Sequence, residues 1–319
     1  MDALKARLES LLQTQAPWMG FDSRQDELGR ILQLHAVGKL LLPEDFPAPL
    51  KEIPDPPAWL FVEGSKAALF GAALLAVVGT RKPSFYGVRA AHVFSRALAQ
   101  AGWTLVSGLA RGIDTIAHQM SVDEKRPTIA VLGHGLDTLF PSQNRGLAAE
   151  IVKQGGCLIT EYAPGTEPLP RYFPRRNRIL SGLASGVVVI EASQRSGSLI
   201  TAHHALEQNR QVFVVPGEFD AVSFRGGYGL IRQGAQLVSD PSQVSDDLAP
   251  GLLLPASAPA REPGTAPLRA WLKKRGVASL EDLQEAFGGD SEWTMQLEQA
   301  LREGWLSEWG PQRYVYSGP

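Results

Sequence analysis

Cysteine is nearly absent from this chain: Cys157 stands alone among 319 residues. A single thiol excludes an internal disulfide and any cysteine-based metal cluster, and it suits a reducing cytoplasm. Long apolar runs are missing too, since no stretch reaches the roughly 18 residues that span a bilayer. The opening MDALKARLESLLQ is amphipathic, with mixed charge and no signal-peptide h-region. The expectation is a cytoplasmic protein without membrane attachment. Neither sign of charge dominates, with 31 Lys and Arg against 33 Asp and Glu. Without a global basic field, any nucleic-acid binding must rest on a local patch. No G-x-x-x-x-G-K-[ST] occurs, which removes the usual P-loop ATPase. The first βα turn reads GTRKPSFYG and not G-x-G-x-x-G, so the dinucleotide fingerprint is missing as well. The six histidines show no ligand spacing, and the adjacent His203 and His204 point apart on a helix. Neither a metal nor a cofactor is expected.

What the chain does have is 44% hydrophobic residues, enough to build the cores of two or three domains. Leu4, Leu8, Leu11 and Leu12 share one face of a short helix, and a second helix is predicted over Asp26–Leu34. Residues 43–58 hold six prolines and read as a linker or extended arm. Residues 1–60 thus form a small helical segment with a Pro-rich arm, for which Trp18, Phe21 and Trp59 are docking candidates. From about residue 66 strands and helices alternate through Leu237–Val238, which implies a mostly parallel sheet covered on both faces. In such sheets ligands bind beyond the carboxyl ends of the strands. Residues 61–248 are therefore expected to be an α/β, Rossmann-like domain. An Ala/Pro/Gly linker follows at 249–267. Residues 268–319 resemble a winged helix: helices at 268–274, 279–287 and 291–303, then a hairpin over 306–316 turning at Trp309-Gly310-Pro311. Its third helix carries more Glu than Arg, which favours partner contact or plain structure over a grip on DNA.

The stretch Arg171–Thr201 organises the central domain. Arg171, Arg175, Arg176 and Arg178 fall within eight residues, with Tyr172 and Phe173 between them. The β-branched run Gly186–Ile190 follows as a strand buried on both faces, then the polar loop Ser193–Ser198, then a helix. A strand, loop and helix start in that order leave free N–H groups for an anion. Further glycine-rich loops close the earlier strands: Gly79–Arg81, Ser107–Asp114 and Gly133–Asp137. One such loop is ordinary in α/β proteins; four at the ends of one sheet point to a phosphate-bearing ligand. Guanidiniums interleaved with aromatic rings suit a single strand, whose bases stack at roughly 1–3 kcal/mol each. The arginines could instead be a solvated face or pair with Glu161 and Glu167. Asp114 opens a helix, where N-capping is its default role. Glu191 is a candidate general acid, or an orienter of a neighbouring arginine.

The motifs VVGTRKPSFYG, SGLARGIDTIAH, FPRRNRI and SGSLITA–ALEQ–VFVVPG, in this order over about residues 60–240, resemble the DNA-processing protein A (DprA/Smf) family. The resemblance implies an extended Rossmann-like domain that binds single-stranded DNA. It also implies loading of the RecA recombinase in natural transformation, without enzymatic activity, and frequent homodimerisation. Carried over by motif, the DNA pocket is Thr80 and Arg81, then Ser107, Gly108 and Gly112. Phe173, Arg175, Arg176, Asn177 and Arg178 follow, and Ser196, Gly197 and Ser198 complete it. Tyr172 departs from the small polar residue usual before Phe-Pro, and offers a second stacking ring or fills the pocket lip. No catalytic residue is implied. The rival reading is a nucleotide hydrolase of the lysine-decarboxylase-like type. That type carries P-G-G-x-G-T-x-x-E where this chain has RSGSLIT, with Glu207 the nearest glutamate. A small-nucleotide sensor would need only the phosphate loops.

Overall fold

The computed structural model describes residues 2–14, 23–71, 73–249 and 268–287, together with 293, 297, 300, 301, 306–308 and 313–316. Trp18, Phe21, the linker from 250 to 267, the turn at 309–311 and most of 291–303 lie outside the described residues.

Helices α1 (Asp2–Thr14) and α2 (Arg24–Ala36) open the chain, the second capped by the Ser23 hydroxyl, which accepts from the Asp26 N–H at 3.2 Å. Strands β1 (Leu40–Leu41) and β2 (Leu60–Gly64) follow, with helical turn α3 (Ala48–Lys51) between them. The Pro-rich stretch is therefore helical in its first half and irregular over 52–58. Pro43 opens a 3₁₀ turn, and Pro47 and Pro49 flank the start of α3. At the first positions of a helix the missing proline N–H costs nothing, so prolines there start turns as readily as they end them. Phe46, Leu50 and Ile53 from this stretch join the main core.

The alternation then runs β3 (Leu74–Gly79), α4 (Phe85–Gln100), β4 (Thr104–Ser107), α5 (Ile113–Asp123), β5 (Thr128–Val131), α6 (Arg145–Lys153) and β6 (Cys157–Thr160). It continues with α7 (Tyr172–Leu183), β7 (Gly186–Ile190), α8 (Ser198–Glu207), β8 (Gln211–Val215), α9 (Arg225–Arg232), β9 (Gln236–Leu237) and α10 (Pro241–Leu248). One sheet results, in the order β1-β2-β6-β5-β4-β3-β7-β8-β9. It is parallel from β6 to β9, while β1 and β2 add antiparallel strands at one edge. Apolar clusters cover both faces, one beneath α7 and α8, the other beneath α4 and α5. This is the two-sided burial that the runs LLAVV and GVVVI require.

The strand order reverses between β3 and β7, whose last paired residues are Gly79 and Ile190. There the connecting loops leave in opposite directions, and a crevice opens at the carboxyl ends of the strands.

The remaining described residues form α11 (Leu268–Arg275), β10 (Val277–Ser279), α12 (Leu280–Phe287), β11 (Leu306–Glu308) and β12 (Arg313–Tyr316). The three strands make an antiparallel sheet in the order β10-β12-β11. Ser279 and Asp282 cap α12 reciprocally, through bonds of 2.8 and 3.0 Å. This unit rests on α4: the Arg313 guanidinium lies 5.3 Å from the Phe85 ring centre, and the His92 ring packs beneath Gly276.

Candidate nucleic-acid interface

Helix α7 stands over the reversal point, and the loops after β3, β4, β5 and β7 all meet its first turns. The loop after β3 is tied to that after β7 by the Thr80 N–H, which donates to the Glu191 carbonyl at 2.9 Å. It is tied to α5 by the Ile113 N–H, which donates to the Thr80 carbonyl at 3.2 Å. Gly112, at φ 80°, passes so close that a Cβ would meet the Arg81 Cα at 2.9 Å. Only glycine fits that backbone and that gap together.

The arginines divide by burial. Arg176 points inward, 4% exposed, and donates to the carbonyls of Gly108 (2.9 Å) and Val131 and to the Asn177 side-chain oxygen (3.0 Å). It ties the ends of β4 and β5 to α7. Burial lowers its pKa to about 10, and the buried carboxylate of Asp114 opposes that fall. Arg178 is also buried: it grips both Glu161 oxygens at 2.8 Å and Asp55 at 2.8 Å. The pairing with Glu161 weighed as an alternative is what this arginine does. Arg175 is exposed, 3.7 Å from Glu161, and Arg171 and Arg81 are exposed as well. Among the described residues no carboxylate pairs with Arg81 or Arg171.

Aromatic rings fill the space between these cations. Phe173 lies over Gly133, where a Cβ would meet its Cδ1 at 2.9 Å. The Arg81 guanidinium covers the Phe173 ring at 5.3 Å, and Phe140 packs beside it at 6.1 Å. Tyr172 packs on Tyr162 with centroids 4.4 Å apart. The Asn177 side-chain amide reaches the Gly197 carbonyl at 3.5 Å, which joins α7 to the loop before α8. In that loop the hydroxyls of Ser196 and Ser198 share a 2.7 Å bond, and Ser198 is buried. Ser107 is buried too, its hydroxyl donating to the Val77 carbonyl at 2.7 Å.

The buried acids near the crevice serve the backbone. Asp114 does not cap its helix, whose N-cap is Gly112; its carboxylate accepts from the N–H groups of Gly108 (3.1 Å) and Ala110 (3.4 Å). Burial raises its pKa, against the pull of Arg176 and these hydrogen bonds. Among the described residues no arginine pairs with Glu191: its carboxylate accepts from the Ser84 N–H at 2.8 Å and the Ser84 hydroxyl at 3.0 Å, pinning the start of α4.

Of the fourteen site residues expected from sequence, Arg81, Tyr172, Phe173, Arg175, Asn177, Ser196 and Gly197 stand at least partly open around the start of α7. Thr80 and Gly112 line the loop beneath them, and Ser107, Gly108, Arg176, Arg178 and Ser198 are turned inward or spent on the protein. Phe140 and Tyr162 were not singled out from sequence. Each is a lone ring in a loop, and only the fold sets it beside Phe173 or Tyr172. Among the described residues no cluster of His, Cys, Asp and Glu could hold a metal ion, and no helix is long and apolar enough to cross a membrane.

A model of the DNA recombination-mediator protein A family matches residues 40–249. Protein Smf of Escherichia coli is 47% identical over 215 residues, 66% of this chain and 57% of that protein. The chain thus spans little more than half of that relative's length. DNA processing protein DprA of Bacillus subtilis is 40% identical over 205 residues, 64% of this chain and 69% of that protein. Among solved structures, DNA processing protein A of Streptococcus pneumoniae superposes with a TM-score of 0.63 at 34% identity, covering 76% of this chain and 86% of that one. DNA processing protein A of Helicobacter pylori, solved to describe its single-stranded DNA binding mode, superposes with a TM-score of 0.60 at 28% identity, covering 66% and 95%.

Proposed function

We propose, because the chain belongs to the DNA recombination-mediator protein A family, that it holds single-stranded DNA across the crevice at the reversal of strand order. The strand is shielded there and passed to the RecA recombinase during natural transformation. One observation carries this reading: exposed guanidiniums lie against aromatic rings at the start of α7, whose first turn holds no acid. Cations beside the positive end of a helix repel it, and a phosphate chain relieves that repulsion.

Arg81, Arg175, Asn177, Ser196 and Gly197 contact phosphates, while Phe173 and Tyr172 face bases. Thr80, Ser107, Gly108, Gly112 and Ser198 shape the loops, and Arg176 and Arg178 hold α7 in place. The role is stoichiometric and not catalytic; the carboxylates of Asp114 and Glu191 are spent on backbone N–H groups, which leaves neither free to move a proton. Two copies pair through the β9 edge, where Leu237 is 52% exposed on an open strand, and through α8, where Leu206 is 39% exposed. The unit from 268 to 319 is a winged-helix-like module for partner contact.

The test is fluorescence anisotropy with a labelled single-stranded oligonucleotide over a salt series, with duplex DNA and AMP as competitors. Binding is expected to fall with salt on a log–log slope of several phosphates, to resist AMP, and to collapse in an Arg81→Ala/Arg175→Ala variant. Weak DNA binding together with consumption of AMP would overturn the reading in favour of a nucleotide hydrolase.

A further inference from the structure

Rings stand on both sides of the start of α7, and each side has its own guanidinium. Arg81 covers Phe173 at 5.3 Å, and Arg171 covers Tyr172 at 4.9 Å. The second assembly is held from two elements. Tyr162, just beyond β6, packs on Tyr172 at 4.4 Å, and its hydroxyl donates to the Tyr172 carbonyl at 3.3 Å. Arg171 is exposed, and its guanidinium donates to the Tyr172 hydroxyl at 3.3 Å. A guanidinium resting on a ring is displaceable: a base offers a larger π-face, and the freed cation can swing to the neighbouring phosphate.

We propose that Tyr172 and Tyr162, beneath Arg171, form a second base-stacking subsite for single-stranded nucleic acid, separate from the one at Phe173. This inference rests on the reading of the crevice as a single-strand site. Consecutive residues of a helix project about 100° apart, so Tyr172 and Phe173 face different sides. A strand using both must turn around the start of α7, with one base splayed to each side. Arg171, having left the ring, then tracks the phosphate at the turn.

The test uses the full chain and an oligothymidylate in which one abasic position is moved along the strand. In the wild type, two separate positions should be sensitive, each losing about 5- to 150-fold in affinity, the range that one base–aromatic stack corresponds to. In Tyr172→Leu one of these positions should become insensitive, and in Phe173→Leu the other. Tyr172→Phe, which keeps the ring, should retain both. Arg171→Gln should lower the log–log salt slope by about 0.7, one phosphate on a single strand. Two sensitive positions that persist in Tyr172→Leu, or a single sensitive position in the wild type, would overturn the second subsite and leave single-strand binding intact. Failure of the wild type to bind the unmodified strand would instead overturn the reading on which it rests.

Discussion

At the scale of the residue, one sequence run, RYFPRRNR, splits into two jobs by the direction each side chain takes. Arg176 and Arg178 are interior fasteners, whereas Arg171 and Arg175 stand in solvent, as Arg81 does on the facing loop. Arg176→Ala leaves the buried Asp114 carboxylate without its neighbouring cation and frees the carbonyls of Gly108 and Val131. A loss of about 1.5–3 kcal/mol of stability is expected, as for a hydrogen bond made by a charged group, read from urea unfolding. Arg81→Ala should leave the unfolding midpoint unchanged and weaken single-strand binding. A buried histidine adds a pH dependence. His118 lies in the interior with Nδ1 2.9 Å from the Thr128 hydroxyl, and burial, with the Arg176 charge, lowers its pKa from 6.5 to about 3. As pH falls below 6.5 the unfolded chain takes up this proton and the folded one does not. Stability is therefore full above that pH and declines toward pH 3, by up to about 1.4 kcal/mol per pH unit for the one site. Urea midpoints at pH 7, 6 and 5 should fall in turn, with a shallower fall in His118→Asn.

At the scale of the element, the crevice is a set of loops held at fixed height by glycine and by two buried acids. Gly112→Ala combines a strained positive φ with collision against the Thr80 carbonyl and the Arg81 backbone. The loop that carries Arg81 must move, so single-strand affinity should drop at least tenfold while the far-ultraviolet circular dichroism is retained. Glu191→Gln keeps the size of the side chain but removes the charge that receives the Ser84 N–H and hydroxyl. A hydrogen bond to a charged group contributes about 1.5–3 kcal/mol, and a loss toward the lower end of that range is expected in thermal or urea unfolding. Affinity for DNA should change less than in Gly112→Ala, because Glu191 braces α4 and not the Arg81 loop alone.

At the scale of the whole molecule, the nine-stranded sheet ends on one side at β9, whose two residues are exposed. In the pairing proposed above, a second copy covers exposed Leu237 on this open edge and exposed Leu206 on α8. If the chain pairs as proposed, Leu206→Asp/Leu237→Asp should shift the sedimentation coefficient from that of a dimer to that of a monomer. Affinity for a long oligonucleotide should then fall well below that of the dimer, while affinity for one too short to reach two pockets should be unchanged. The single-site contacts are intact in that variant, so only the linkage between sites is lost.

The sequence by itself determined the parallel sheet. Runs such as LLAVV and GVVVI are too uniformly apolar for a half-exposed strand, and glycine loops punctuate them at regular intervals. It also determined which loops gather, because every βα loop of such a sheet leaves at the carboxyl ends of the strands. The motifs carried the family on residue order alone. Only the tertiary structure decided which arginines face solvent. Four guanidiniums in eight residues read alike as letters, but on one helix they point in different directions, toward carbonyls, toward Glu161 and toward water. Only the fold could set Phe140 beside Phe173, and Tyr162 beside Tyr172, because those pairs are assembled from separate loops. It also turned Asp114 from the helix cap expected of its position into a brace for the loop before it. Pro43, Pro47 and Pro49 sit at the starts of helical turns, which the sequence does not distinguish from a linker, for a local reason. Proline ends a helix from within but begins one from its first turn, and only the packing of Leu50 and Ile53 into the core says which of the two occurs.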